Sequence, residues 1–217
     1  MPYLPFVSAD RQTILGHYGV YHKTGNLAAT MGAAGHVARI RWAPTLSNVF
    51  LVLLRLRVGK TQVTAATTAV QVAYQAIKVT GFTVDFTTAM TNTSMSATAV
   101  GAPTNAMRRT MNNSQMGAAG PGISTTAVLS GQTMTADAAP FCGVTCANPQ
   151  GLIASGVTNQ VGVGVPMATL YERGADGFHP MVLSTNEGVV VQPVYAGSSD
   201  GTDNIHVEWT WAEVLAF

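Results

Sequence analysis

Residues 205–217 read IHVEWTWAEVLAF, and this stretch decides the fold. Ile205, Val207, Trp209 and Trp211 fall on one face of an extended chain, and His206, Glu208 and Thr210 fall on the other. Side chains alternate across a strand, so this pattern marks a half-buried β-strand. Immediately upstream, residues 188–195 (GVVVQPVY) form a second apolar β-type run. A Gly/Ser/Asp-rich loop separates the two runs. The pair is expected to form a hairpin that closes a β-sandwich. The chain stops on Phe217, and an apolar end is expected to be docked rather than loose.

Further out, residues 48–58 (NVFLVLLRLRV) are the strongest strand signal. Phe50, Val52, Leu54, Leu56 and Val58 share one expected face. Val49, Leu51 and Leu53 share the other, which continues into Arg55 and Arg57. This is the pattern of a central strand leaving the core at its Arg-rich end. Residues 36–42 alternate in the same way up to Pro44. Residues 68–79 fit helical spacing and a strand face alike; their β-branched content favours a strand. Residues 1–35 are Gly-rich with aromatic punctuation and two early prolines, which suggests an extended N-terminal arm. Within it, Tyr18, Val20 and His22 alternate with Gly19, Tyr21 and Lys23, as in a short strand. Residues 87–122 form a Thr/Ser/Asn/Met-rich excursion, too long for a simple loop, with a short element expected near 107–111. A strand is expected over 123–134 with a turn at Ser130-Gly131, and loop over 138–166. The domains are therefore an arm, 1–35, and a β-sandwich, 36–217. About eight strands with long connections predict an all-β, antiparallel two-sheet sandwich, jelly-roll-like in character.

Only 10% of the 217 residues are charged, against about 25% in typical domains. With lysine only at positions 23, 60 and 78, much of the surface must be small and polar or covered by other subunits. The net charge of +1 offers no basic footprint for nucleic acid. Arg39, Arg41, Arg55 and Arg57 are expected to solvate the ends of two neighbouring strands. The first residues lack the pattern of a secretory signal, so the chain is expected either to be made soluble in the cytosol or to be exported by a route this pattern does not mark. The longest apolar run, 49–54, is about a third of a membrane span, so no membrane partner is expected. Cys142 and Cys146, four positions apart, are expected to be reduced in a loop; a bridge would close a very short ring.

Few residues suggest chemistry. Gly59-Lys60-Thr61 resembles the tail of a phosphate loop, but Leu54 stands where such a loop needs glycine. The five histidines have no metal-ligand spacing, and no metal or cofactor is expected. Asp200 and Asp203 could offer calcium two carboxylates, although a turn is the plainer reading. There is no GxSxG nucleophile elbow, and the acids are too dispersed to mark a glycosidase pair. Glu187, in Asn186-Glu187-Gly188, reads as a turn residue. The expectation is a protein without catalytic residues.

Several patches together carry a resemblance: GHYGVYHKTGNLAA (16–29), KVTGFTVDFTTA (78–89), HPMVLSTNEGVVVQP (179–193) and VEWTWAEVLAF (207–217). They are similar to structural proteins of tailed bacteriophages and resemble jelly-roll capsid decoration, or cement, proteins. The resemblance implies a virion protein bound to the major capsid protein on the capsid surface, self-associating as a homotrimer and synthesised in the host bacterial cytoplasm. On that reading Tyr3, Phe6, Tyr18 and Tyr21 are expected capsid or subunit contacts, and Trp209, Trp211 and Phe217 are core or subunit-contact residues. Two other roles fit the residues: a tail-associated or receptor-binding virion protein with the excursion at its tip, and a carbohydrate-binding β-sandwich.

Overall fold

The computed structural model describes residues 14–27, 35–64, 71–82, 90–92, 114–116, 120–124, 133–146, 164–174, 180–196 and 202–215. Among them the regular structure is β only. The first sheet runs β1 (Ile14–Lys23), β12 (Thr202–Val214), β3 (Phe50–Thr64), with β9 (Gly164–Glu172) and β10 (Val182–Leu183) sharing the far edge of β3. The second runs β5 (Met90–Asn92), β6 (Gly122–Ser124), β2 (Ala38–Arg41), β11 (Gly188–Pro193), β4 (Val72–Thr80). There β7 (Thr135–Ala136) and β8 (Cys142–Cys146) share the far edge of β4. All pairings are antiparallel. Apart from the short β5, β6, β7 and β10, the sheets read β1-β12-β3-β9 and β2-β11-β4-β8. That is the jelly-roll order, in which the chain crosses repeatedly between two packed sheets.

One apolar core lies between the sheets. Tyr18, Val20, Leu56, Val58, Trp209 and Trp211 of the first meet Ile40, Trp42, Tyr74, Val189 and Val191 of the second. Each fully buried Leu or Val contributes roughly 1.5–3 kcal/mol relative to exposure. Tyr18 stacks on Trp211 with ring centroids 5.8 Å apart. The indole of Trp42 donates to the Val49 carbonyl at 2.8 Å. This bond supplies the polar partner that a buried indole requires.

The expected C-terminal hairpin does not form. β11 pairs with β2 and β4, and β12 pairs with β1 and β3, in opposite sheets. Each run is buried along most of its length, so each takes the centre of a sheet and needs two partners of its own. The amide of Val194 instead bonds the Ala73 carbonyl, which holds the chain to the second sheet beyond β11.

A second correction concerns β3. Thr210 pairs with Arg55 but Trp211 with Leu53, so β3 carries one extra residue there. This β-bulge shifts the alternation by one. Leu51 and Leu53 therefore share the core with Leu56 and Val58, whereas Phe50, Val52 and Leu54 pack with Val182, Ala212 and Val214 on the outer face. The expected partition of faces fails at Leu54, where two successive residues face outward.

The arginines also separate. β2 and β3 lie in different sheets, and Arg39 is fully buried, its guanidinium 5.4 Å from the Phe82 ring centroid. Cys142 and Cys146 begin and end strand β8 rather than lying in a loop, and Cys142 is free. Four residues along a strand span about 13 Å, beyond the reach of a bridge within one chain. Residues 164–166, expected to end the loop over 138–166, instead begin β9, with Pro166 at a register irregularity where a proline is tolerated. The expected element at 107–111 and the turn at Ser130-Gly131 lie outside the described residues, as do Tyr3, Phe6 and Phe217.

Candidate functional site

The outer face of the first sheet, where it departs from the core pattern, gathers the exposed polar side chains. Cross-strand register builds it in rows. Tyr21 of β1 lies opposite Glu208 of β12, which lies opposite Arg57 of β3. In the next row Lys23 lies opposite His206. Alternation along β1 and β12 turns these residues outward while Tyr18, Val20, Val207 and Trp209 turn inward.

The Glu208 carboxylate receives two guanidiniums, Arg55 Nη2 at 2.5 Å and Arg57 Nη1 at 3.2 Å. The second Arg57 nitrogen, Nη2, donates to the Met167 carbonyl at 3.3 Å and so ties β3 to β9. About a third of each arginine side chain is exposed, so these pairs are worth at most about 1 kcal/mol each. They fix positions more than they add stability.

His206 bridges two hydroxyls. Tyr21 Oη lies 2.5 Å from Nδ1 and Thr61 Oγ1 lies 2.9 Å from Nε2. A neutral imidazole satisfies both contacts when Tyr21 donates to Nδ1 and Nε2–H donates to Thr61. Burial lowers the His206 pKa below its ordinary value, and the nearby Lys23 charge lowers it further. The Tyr21 and His206 rings also stack, with centroids 5.9 Å apart, although Tyr21 stays 51% exposed. The result is a polar platform with an exposed aromatic ring. It has the residues for docking, with a histidine held between two hydroxyls.

The remaining residues with chemical potential belong to the scaffold. Lys60 and Asp203 form a buried ion pair, Nζ to Oδ2 2.8 Å, at the end of β3 and β12. Lys60 thus lies inside a strand rather than in a phosphate loop, and Asp203 is a strand residue rather than part of a turn. Glu187 accepts the Ser184 amide at 2.7 Å and pairs with Lys78 at 2.9 Å. Burial raises its pKa, but those hydrogen bonds and the Lys78 charge outweigh it and leave the carboxyl below its usual range. Glu213 is buried on the tryptophan face. Its carboxylate accepts from the Ser114 hydroxyl at 2.5 Å, the Gln115 amide at 2.9 Å and the Trp211 indole at 3.2 Å. Desolvation outweighs these three bonds and raises its pKa. Among the described residues no cluster of three or more His, Cys, Asp or Glu could hold a metal ion.

Of the expected contact residues, Tyr18, Trp209 and Trp211 lie in the core of this chain, each at most 1% exposed. Tyr21 is exposed on the platform. The described part of the N-terminal segment, 14–27, lies along β12 and extends past β1 through the Leu27 amide to the Asp203 carbonyl. The Lys60–Asp203 pair was not foreseen. Glu213 could have been, because period two from Trp209 and Trp211 places it on their face. Comparison with family models, with curated proteins and with solved structures finds no match for this chain.

Proposed function

We propose that this chain is a structural protein of a bacteriophage particle that sits on the capsid surface and stabilises it without catalysis. The reading is supported by how the chain uses its few charges. Asp203, Glu187, Glu208 and Glu213 are each held by groups that shape the scaffold. Among the described residues, what remains for other molecules is a sheet face and polar surface with few exposed charges, Lys23, Asp137 and Glu172 among them, suited to many weak contacts. The jelly-roll order and the patches similar to phage decoration proteins agree with this role. Its partners are the major capsid protein and further copies of itself, with a trimer as the expected assembly. Tyr3 and Phe6 serve as contacts to the neighbour and Tyr21 as the contact on the platform.

The test is co-sedimentation of purified protein with particles that lack it. A variant without residues 1–13 keeps all of β1 and so preserves the sheet. Fixed-stoichiometry binding by the full chain, lost in that variant, is the expected result. Undiminished binding by the variant would remove the arm from the account, and no binding by the full chain would remove the capsid role. A second reading, glycan binding, rests on the exposed Tyr21 ring opposite Glu208. Saturable sugar binding lost in Tyr21→Ala would favour it. Labelling of host cells by the purified chain would favour a receptor-binding role.

A further inference from the structure

Ser114, Gln115 and Met116 belong in sequence to the connection between β5 and β6, both in the second sheet, yet they dock on β12 of the first. The Ser114 hydroxyl donates to Glu213 Oε1 at 2.5 Å, and the Gln115 amide donates to Oε2 at 2.9 Å. The Met116 amide turns back to Ser114 Oγ at 3.1 Å, and Met116 itself is buried in the core. Thr45, between β2 and β3, adds two bonds. Its hydroxyl donates to Gln115 Oε1 at 2.6 Å and its amide to the Gln115 carbonyl at 3.2 Å. The three residues form a strap at one end of the sandwich, fastened at Glu213 and at Thr45.

The fastening at Glu213 depends on charge. The residue is fully buried, and its partners are a hydroxyl, a backbone amide and the Trp211 indole, none of them a cation. A carboxylate buried among neutral donors carries a desolvation cost that the acid escapes. The acid keeps the arrangement, because Oε1 then holds the proton and donates it to Ser114 Oγ. The charged groups of the packed elements are turned elsewhere. His17, Arg55 and Arg57 lie on the outer face of the first sheet. His22, Lys60 and Asp203 share the inner face but sit at the far end of β12, around positions 203–207. Arg39 and Arg41 of β2 turn to Phe82, and His36 precedes β2 at the end away from Trp42. Glu187 is held by Lys78, and Tyr18, on the inner face, stacks on Trp211. We infer that Ser114–Met116 is a strap controlled by the ionisation of Glu213: it stays closed over the protonated acid and lifts as the charge forms, letting water reach the carboxylate. The device is independent of the capsid reading.

The ordinary value for this carboxyl is 4.5, and burial raises it in the closed strap. Opening should therefore grow by up to about tenfold per pH unit from 4.5 to the raised value, and level off above it. Hydrogen exchange followed by NMR, corrected for the intrinsic rate at each pH, reads this at the Thr45, Gln115 and Met116 amides. Their protection is expected to fall together along that slope. The Val37 and Leu53 amides, bonded to the Val191 and Met181 carbonyls, are not expected to lose protection over the same range. In Glu213→Gln the side-chain amide keeps both bonds to the strap without a charge, and protection there is expected to stay level. Ser114→Ala leaves β12 unaltered and takes one donor from the carboxylate, so levelling off is expected at a higher pH than in the parent. Level protection in the parent overturns the inference, as does a slope that persists in Glu213→Gln. So does a levelling point unmoved in Ser114→Ala. Loss at Val37 and Leu53 in step with the strap also overturns it, because that marks unfolding of the whole sandwich.

Discussion

His22 and His36 lie buried near the core, and burial lowers both pKa values from 6.5 to about 4. The unfolded chain therefore binds more protons than the folded one between those values, and stability falls as pH drops from 6.5 towards 4. Each group accounts for on the order of 3 kcal/mol across that window. Denaturant melts as a function of pH should show this acid limb, and His22→Gln/His36→Gln should flatten it. Glu213 acts in the opposite sense. Its raised pKa means the folded state favours the protonated acid, so its contribution is greatest below 4.5 and is lost as pH rises through the raised value. On the platform, NMR titration should place the His206 midpoint below 6.5, and Lys23→Gln should move it upward. Little of this was legible in sequence. Histidines 22 and 206 differ by which face of a strand they occupy, and parity along β1 and β12 did separate them. Arg39 could not be read, because a guanidinium buried over Phe82 carries the same alternation as one in water.

At the scale of elements, the turn at Asn186-Glu187-Gly188 joins three segments. Asn186 adopts φ +65°, its carbonyl accepts the Phe82 amide, and its amide donates to the Trp42 carbonyl. A Cβ on Gly188 would lie 2.5 Å from the Ile40 carbonyl oxygen and 2.9 Å from Phe82. That clash is with backbone, so Gly188→Ala should cost about 1–3 kcal/mol by urea denaturation. In β12, Trp211→Ala should cost about 3–5 kcal/mol, because it opens a cavity and also removes a hydrogen bond to Glu213. The alternation of β12 and the apolar strength of β3 were both visible in sequence. The bulge at Leu54 was not, because one extra residue in an apolar run leaves the composition of both faces apolar. β8 was missed for a related reason: five small or polar residues at an edge bury too little to leave a periodic signal.

For the whole molecule, two packed antiparallel sheets follow from the strand patterns, but their connection does not. The apolar runs of β11 and β12, close in sequence, suggest a hairpin. β11 is buried on both faces and β12 chiefly on its inward face, and each pairs on both sides, so they take the centres of different sheets, and this crossing makes the jelly roll. A low-charge chain of this architecture should be held in assemblies by broad, weakly polar contacts, so its dissociation should depend little on salt. Sedimentation across a salt series should show an oligomer that persists. The most direct measurement is an electron-microscopy reconstruction of the virus particle that carries this chain. The account predicts jelly-roll density on the outer capsid surface, at a fixed number of copies per capsid subunit. Particles that lack the chain, or density for it only at the tail, would contradict it.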